Sequence, residues 1–108
     1  MLVAFSVAPT VAADATGSVH EAVADAIEIV RASGLPHTTD AMFTTLEGEW
    51  DECLDVVRRC CEVMAQASPR VGLVLKADLR PGFTGELTGK VERLEAALER
   101  RRTSRAGQ

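Results

Sequence analysis

Val71-Gly72-Leu73-Val74-Leu75-Lys76-Ala77-Asp78-Leu79-Arg80 reads as a strand in which two charges interrupt an otherwise apolar run. Successive side chains on a strand point to opposite faces. Leu73, Leu75, Ala77 and Leu79 therefore share one side and read as core, while Lys76 and Asp78 share the other. A strand with one apolar and one charged face belongs to a sheet covered on one side only.

Upstream, the apolar residues switch between strand and helix periods. Residues 2–8 alternate, with Val3, Phe5 and Val7 against Ala4, Ser6 and Ala8, and Pro9 ends the strand. After a loop holding Gly17, Ser18-Val19-His20-Glu21 has the capping-box pattern, in which a hydroxyl and a carboxylate each accept an orphan backbone N–H. Val19, Val23, Ala26, Ile27 and Val30 then recur at helical spacing, and Gly34 with Pro36 stops a helix of residues 19–32. Residues 37–49 are rich in threonine with Met42, Phe43 and Leu46, a composition for two short strands turning near Met42-Phe43 or for one bent strand. A second helix begins at Trp50-Asp51, with Leu54, Val57, Cys61 and Met64 as its buried stripe and Cys53 and Cys60 beside it, and Ser68-Pro69 closes it. Beyond the strand quoted above come the loop Pro81-Gly82-Phe83-Thr84-Gly85 and a last helix with a narrow stripe of Val91, Leu94 and Leu98.

The order β-α-β-β-α-β plus a C-terminal helix is that of an α+β, ferredoxin-like split β-α-β sandwich with an antiparallel sheet. Right-handed crossovers place the first strand centrally, between the third and fourth, with both main helices on one face. The chain of 108 residues has room for one such domain, over residues 1–99, with 100–108 as a basic, disordered tail. A net charge of −4 argues against nucleic acid or an anionic membrane as partner, since both select basic surfaces. Residues 1–8 lack the basic start of a signal peptide and are too short for a membrane span, so the expectation is a cytoplasmic protein. Cys53, Cys60 and Cys61 all fall in one helix and read as reduced thiols.

Alternation assigns Val3, Phe5, Val7, Leu46, Leu73, Leu75 and Ala77 to the helix-covered face. The complementary set is Ser6, Thr45, Glu47, Lys76 and Asp78, among small or apolar neighbours such as Ala4, Ala8 and Val74. Hydroxyls, two carboxylates and an ammonium over a floor of alanines suit a small polar ligand or a partner sheet. A solvated sheet face has the same pattern, and taken alone it is the commoner reason for it.

The chain also resembles the thiamine-binding, YkoF-related family. The resemblance rests on Val3-Ala4-Phe5-Ser6-Val7-Ala8-Pro9, Ser33-Gly34-Leu35-Pro36, Thr44-Thr45-Leu46-Glu47-Gly48-Glu49-Trp50-Asp51-Glu52, Pro69-Arg70-Val71, Lys76-Ala77-Asp78-Leu79-Arg80-Pro81-Gly82 and Thr88-Gly89-Lys90-Val91-Glu92. It implies a non-catalytic protein that binds thiamine or its hydroxymethylpyrimidine moiety and assembles through sheet contacts as a homodimer or homotetramer. The alternation argument supplies Ser6, Thr45, Glu47, Lys76 and Asp78 as ligand contacts, with Met42 near the hairpin as a further one. Phe43 departs from the family pattern, which carries glycine after that methionine, and a bulky side chain there reshapes the turn and the pocket rim. Trp50 suits a cation by type but reads first as a core residue stapling the second helix.

Other chemistry finds less support. His20 and His37 have no ligand partners at metal spacing, and Cys60-Cys61 is not a redox pair. The loop 81–85 lacks the Gly-Lys-Ser/Thr ending of a phosphate cradle and does not read as leading directly into a helix. Arg100-Arg101-Arg102 and Arg105 read as a solvated helix end rather than a nucleic-acid site. An enzyme using Glu47 or Asp78 as base lacks a nucleophile arrangement, and no cofactor or metal is implied. The alternative to a ligand-binding module is a structural or regulatory homo-oligomerisation domain.

Overall fold

The computed structural model describes residues 1–10 and 18–107. Its elements are β1 (Leu2–Pro9), α1 (Ser18–Ala32), β2 (His37–Thr39), β3 (Thr44–Glu47), α2 (Trp50–Ala67), β4 (Val71–Asp78) and α3 (Glu86–Ala106). The four strands form one antiparallel sheet in the order β2-β3-β1-β4, the ferredoxin-like arrangement. The expected capping of α1 by Ser18 with Glu21, and the place of Val19 on its stripe, rest on side chains outside those described.

β1 is the central strand. Leu2 pairs with Glu47 of β3 on one side and with Asp78 of β4 on the other, and Phe5 lies between Thr44 and Leu75. These registers put Val3, Phe5, Thr44 and Leu46 under α1 and α2, where all four are buried. Ala22, Ala26 and Val30 of α1 meet Cys53, Val56, Val57, Cys60 and Met64 of α2 above them. The buried stripe of α2 is thus rotated from the expected one. Leu54 is largely exposed and Cys61 only half-buried, while Cys53, Val56 and Cys60 take the centre. Cysteine packs as a small hydrophobe, and here Cys60 does so against Ala26 of α1 while Cys53 is buried beside Gly48.

The helix-facing residues of β4 also differ from expectation. Leu73 and Leu75 share a face with Val7 and Phe5 but remain exposed, Leu75 at 39% against 0% for Leu46. β4 is an edge strand, and α1 and α2 sit over the middle of the sheet. The last helix is longer than expected: α3 runs to Ala106, so residues 100–106 are helical rather than a disordered tail.

The contrast between centre and edge is measurable. Leu46→Ala should destabilise the fold by about 2–5 kcal/mol, as truncation of a fully buried leucine does, and Leu75→Ala by less than half of that, by urea denaturation. Equal costs at the two positions would contradict the assigned layers.

Candidate functional site

A cavity of about 220 Å³ opens at the hairpin end of the sandwich. β1 supplies Phe5, Ser6 and Val7, and β3 supplies Thr44. α1 contributes Val23, Ala26, Ile27 and Val30, α2 contributes Cys60 and Met64, and residues 40–43 form the rim. The rim is shaped by Asp40. Its Oδ1 accepts the backbone N–H groups of Met42 at 2.8 Å and Phe43 at 2.9 Å, while its own N–H donates to the Phe43 carbonyl at 2.9 Å. Aspartate closes turns this way because its short side chain mimics a backbone acceptor. The turn therefore falls where the sequence places it, around Met42-Phe43, but the chemistry comes from the residue before. The same two N–H groups, Phe43 first and Met42 second, hold the Asp40 carboxyl below its usual value, so it is ionised at neutral pH.

Just inside the turn, the hydroxyls of Thr39 and Thr44 are 3.1 Å apart across the β2–β3 pair. The wall beyond is apolar and chemically quiet. The Cys60 thiol donates to the Ala26 carbonyl at 3.5 Å, and burial pushes it up to about 11. Burial also raises Cys53, which lies outside the cavity. A neutral thiol is a poor nucleophile and a poor metal ligand, so the cavity offers shape, an apolar wall and, at its mouth, the Asp40 carboxylate with the Thr44 hydroxyl, itself paired with Thr39. That combination suits a flat ring carrying amino or cationic groups.

The residues singled out by strand alternation divide between two places. Ser6 and Met42 are among the residues lining the cavity, Met42 as an exposed rim residue, although the pairing of Ser6 with Val74 puts Ser6 on the same sheet face as the rest of the set. Thr45, Glu47, Lys76 and Asp78 lie on the sheet face opposite α1 and α2, since Thr45 and Lys76 flank Ala4 while Glu47 and Asp78 flank Leu2. Two of these carboxylates are engaged by α3. Glu47 accepts the backbone N–H of Glu86 at 2.8 Å through Oε2 and that of Leu87 at 3.2 Å through Oε1. A carboxylate here satisfies orphan donors and opposes the positive end of the helix dipole. Asp78 pairs with Lys90, and that hydrogen-bonded ammonium lowers its pKa from the usual aspartate value.

The loop 81–85 does lead directly into a helix, contrary to the sequence reading: Gly85, at φ 70°, is the residue before α3. That left-handed conformation is open to glycine at little cost. The anion at the helix start is the protein's own Glu47.

A second cleft of about 210 Å³ lies beside this loop, between Trp50, Leu79 and Phe83 with Glu49 at its edge. The Arg80 guanidinium stacks 3.6 Å over the Phe83 ring. Trp50 is half exposed rather than part of the core. The start of α2 is instead held by reciprocal capping between Glu49 and Glu52. Among the described residues no three His, Cys, Asp or Glu side chains gather as a metal group, and no helix is long and apolar enough to cross a membrane.

The family model described as "Thiamine-binding protein" matches residues 3–95. The chain belongs to this family. It is 48% identical over 101 residues to UPF0045 protein Mb1933 of Mycobacterium bovis, covering 93% of this chain and 96% of that one. UPF0045 protein sll0230 of Synechocystis is 34% identical over 83 residues, covering 76% and 69%. Among solved structures, a Thermotoga maritima protein titled "putative thiamine biosynthesis/salvage protein" superposes with a TM-score of 0.68 at 31% identity, over 86% of this chain and 96% of that one. A Bacillus cereus domain of unknown function, DUF77, does so with a TM-score of 0.67 at 36% identity, over 79% and 82%.

Asp40 and Thr44 are the site residues that alternation missed. The available signal was an aspartate four residues before a buried threonine, at the point where the hairpin must turn. Two outcomes follow from the site geometry. Glu47→Ala should speed amide exchange at residues 86–90 and cost about 0.5–2 kcal/mol, as loss of a helix cap does; unchanged exchange there would remove Glu47 as the anchor of α3. A thiol raised to about 11 is ionised roughly once in a thousand at pH 8. Cys60 should therefore resist alkylation in the native protein at pH 8 and react only as the chain unfolds, and rapid native-state labelling would contradict its burial.

Proposed function

We propose that this protein is a non-catalytic binding protein for thiamine or its hydroxymethylpyrimidine moiety, and that the cavity at the hairpin end receives the pyrimidine ring. The observation that carries the reading is the cavity itself: an apolar wall with Asp40 and Thr44 at one end, the Thr44 hydroxyl paired with that of Thr39, in a chain of the thiamine-binding family. An aminopyrimidine presents a donor beside a ring acceptor. Asp40 spends Oδ1 on its own turn, so Oδ2 is the oxygen that would accept from the amino group. A threonine hydroxyl would donate to the ring nitrogen, and the apolar wall would take the ring faces. At about 220 Å³ the cavity is smaller than pockets that enclose a drug-sized ligand, which suits one ring held inside and the rest of thiamine at the rim.

The opposite sheet face is the second reading, through Ser6, Thr45, Glu47, Lys76 and Asp78. The cavity is preferred because Glu47 and Asp78 already have partners within the chain. In the proposed working form the protein self-associates as a homodimer or homotetramer, and no step of chemistry is assigned to it. A structural or regulatory homo-oligomerisation domain is the reading that would hold if neither compound bound.

Calorimetric titration with thiamine and with hydroxymethylpyrimidine tests this. Wild-type protein should bind at least one of them saturably. Asp40→Ala and Thr44→Val should each weaken binding about tenfold or more, the worth of a hydrogen bond to a charged or buried partner, and Lys76→Ala should leave it unchanged. Loss on Lys76→Ala with Asp40→Ala silent would move the site to the sheet face. No heat at millimolar concentrations of either compound would end the thiamine reading.

A further inference from the structure

The cavity at the hairpin end has an anion at its mouth and no cation in its wall. Among the described residues that line it there is no lysine, arginine or histidine, and residues 11–17 contain none in their sequence. The charged side chain of the lining is Asp40, ionised at neutral pH and fixed by the two N–H groups of its turn. The other lining residues are apolar or end in a neutral hydroxyl or thiol.

The charge of the whole chain is sorted around this site. Residues 18–67 hold α1, the hairpin and α2, and carry 10 acidic against 3 basic side chains, a balance of −7. The rest of the chain carries 6 against 9, a balance of +3. β1, which runs beneath the cavity, has no charged side chain. The elements that bound the cavity therefore set a negative potential over its mouth, and a cleft with low-dielectric walls focuses such a field.

Sites built for phosphate offer arginine or lysine to its oxygens, or the free N–H groups of a helix start. Neither borders this cavity among the described residues. The starts of α2 and α3 are taken by Glu49 and Glu47. α1 joins the cavity wall only from Val23 onward, past its first turn.

We infer that the cavity selects thiamine or its pyrimidine in the unphosphorylated form, and so distinguishes the free vitamin from its phosphorylated cofactor. The inference rests on the thiamine reading above and adds the class of ligand that the same site rejects. Thiamine carries a fixed positive charge on its thiazolium ring, which a carboxylate at the mouth favours. One phosphate ester brings about −1.5 to −2 at pH 7, enough to cancel that charge and reverse it. With the pyrimidine inside, the phosphates of thiamine diphosphate would lie at the rim, in the field of Asp40 and the acidic layer around it. In hydroxymethylpyrimidine the esterified group sits next to the ring, so its phosphate would be drawn into the mouth itself.

Calorimetric titration of the full chain tests the selection with two pairs: thiamine against thiamine diphosphate, and hydroxymethylpyrimidine against its monophosphate. The buffer holds about 20 mM salt, for a long screening length, and no divalent cation, which would mask the phosphates. In each pair whose parent compound binds, the parent should bind about tenfold or more tighter than its ester. That preference should shrink at about 1 M salt, where charges are screened beyond about 3 Å. Met42→Lys places a cation on the exposed rim, and should narrow the preference roughly threefold or more, the scale of an exposed ion pair. Ala41→Lys, also exposed, serves in its place if circular dichroism shows the first variant unfolded. An ester that binds as tightly as its parent, or within tenfold of it, would overturn the selection and leave the thiamine reading standing. A preference unmoved by salt or by the rim lysine would assign it to shape and overturn the charge account. Binding of none of the four compounds would overturn the thiamine reading and the selection with it.

Discussion

β1 is hydrogen-bonded on both sides, and that double pairing decides where everything else can go. Because Leu2 sits between Glu47 and Asp78, the two carboxylates arrive on one face at one end of the sheet, where α3 takes them. Because Phe5 lies between Thr44 and Leu75, the aromatic ring and the threonine share the helix-covered face at the other end, where the cavity opens. A slip of one residue would move each of these side chains to the wrong face. The apolar pairing of Val3, Phe5 and Leu46 under α1 and α2 opposes such a slip.

The result is a molecule with two differently finished ends. The hairpin end is built from turn chemistry and from the inner face of α1, where the small side chain of Ala26 borders the cavity. Its polar groups are held in place by the backbone: Asp40 by two N–H groups of its own turn, and Thr44 by its pairing with Thr39. Such constraints keep a recognition site in shape before a ligand arrives, which lowers the entropy lost on binding. The opposite end is built from long-range charge contacts that fasten an amphipathic helix and point it away from the body. β4 belongs to both, as an edge strand whose Leu73 and Leu75 are only half covered on one face and whose Val74 is open on the other.

Much of this was legible from residue order. Pro9, Gly34 with Pro36, and Ser68-Pro69 punctuate the chain, and the periods between them define strands and helices well enough to order the sheet. What was not legible involves contacts between residues far apart. Glu47 looks like a free surface carboxylate until α3, 39 residues later, presents its N–H groups. Leu73 and Leu75 look like core until the edge position of β4 is known. The stripe of α2 was displaced because Leu54 outranks cysteine by hydrophobicity, whereas the close approach of Ala26 favours the small thiol of Cys60. Asp40 was overlooked for the opposite reason: its role is local, made with the two residues that follow it, and only the depth of Thr44 reveals that the turn borders a cavity.

The central claim is that recognition occurs at the hairpin end of the sandwich, inside the layer between α1 and the sheet. Backbone amide NMR during titration with thiamine reads this residue by residue. The account predicts saturable shifts at Ser6, Val7 and residues 40–44 and along the inner face of α1, with Thr45, Lys76 and Asp78 little changed. Shifts confined to Thr45, Lys76 and Asp78, or none at millimolar thiamine, would contradict it.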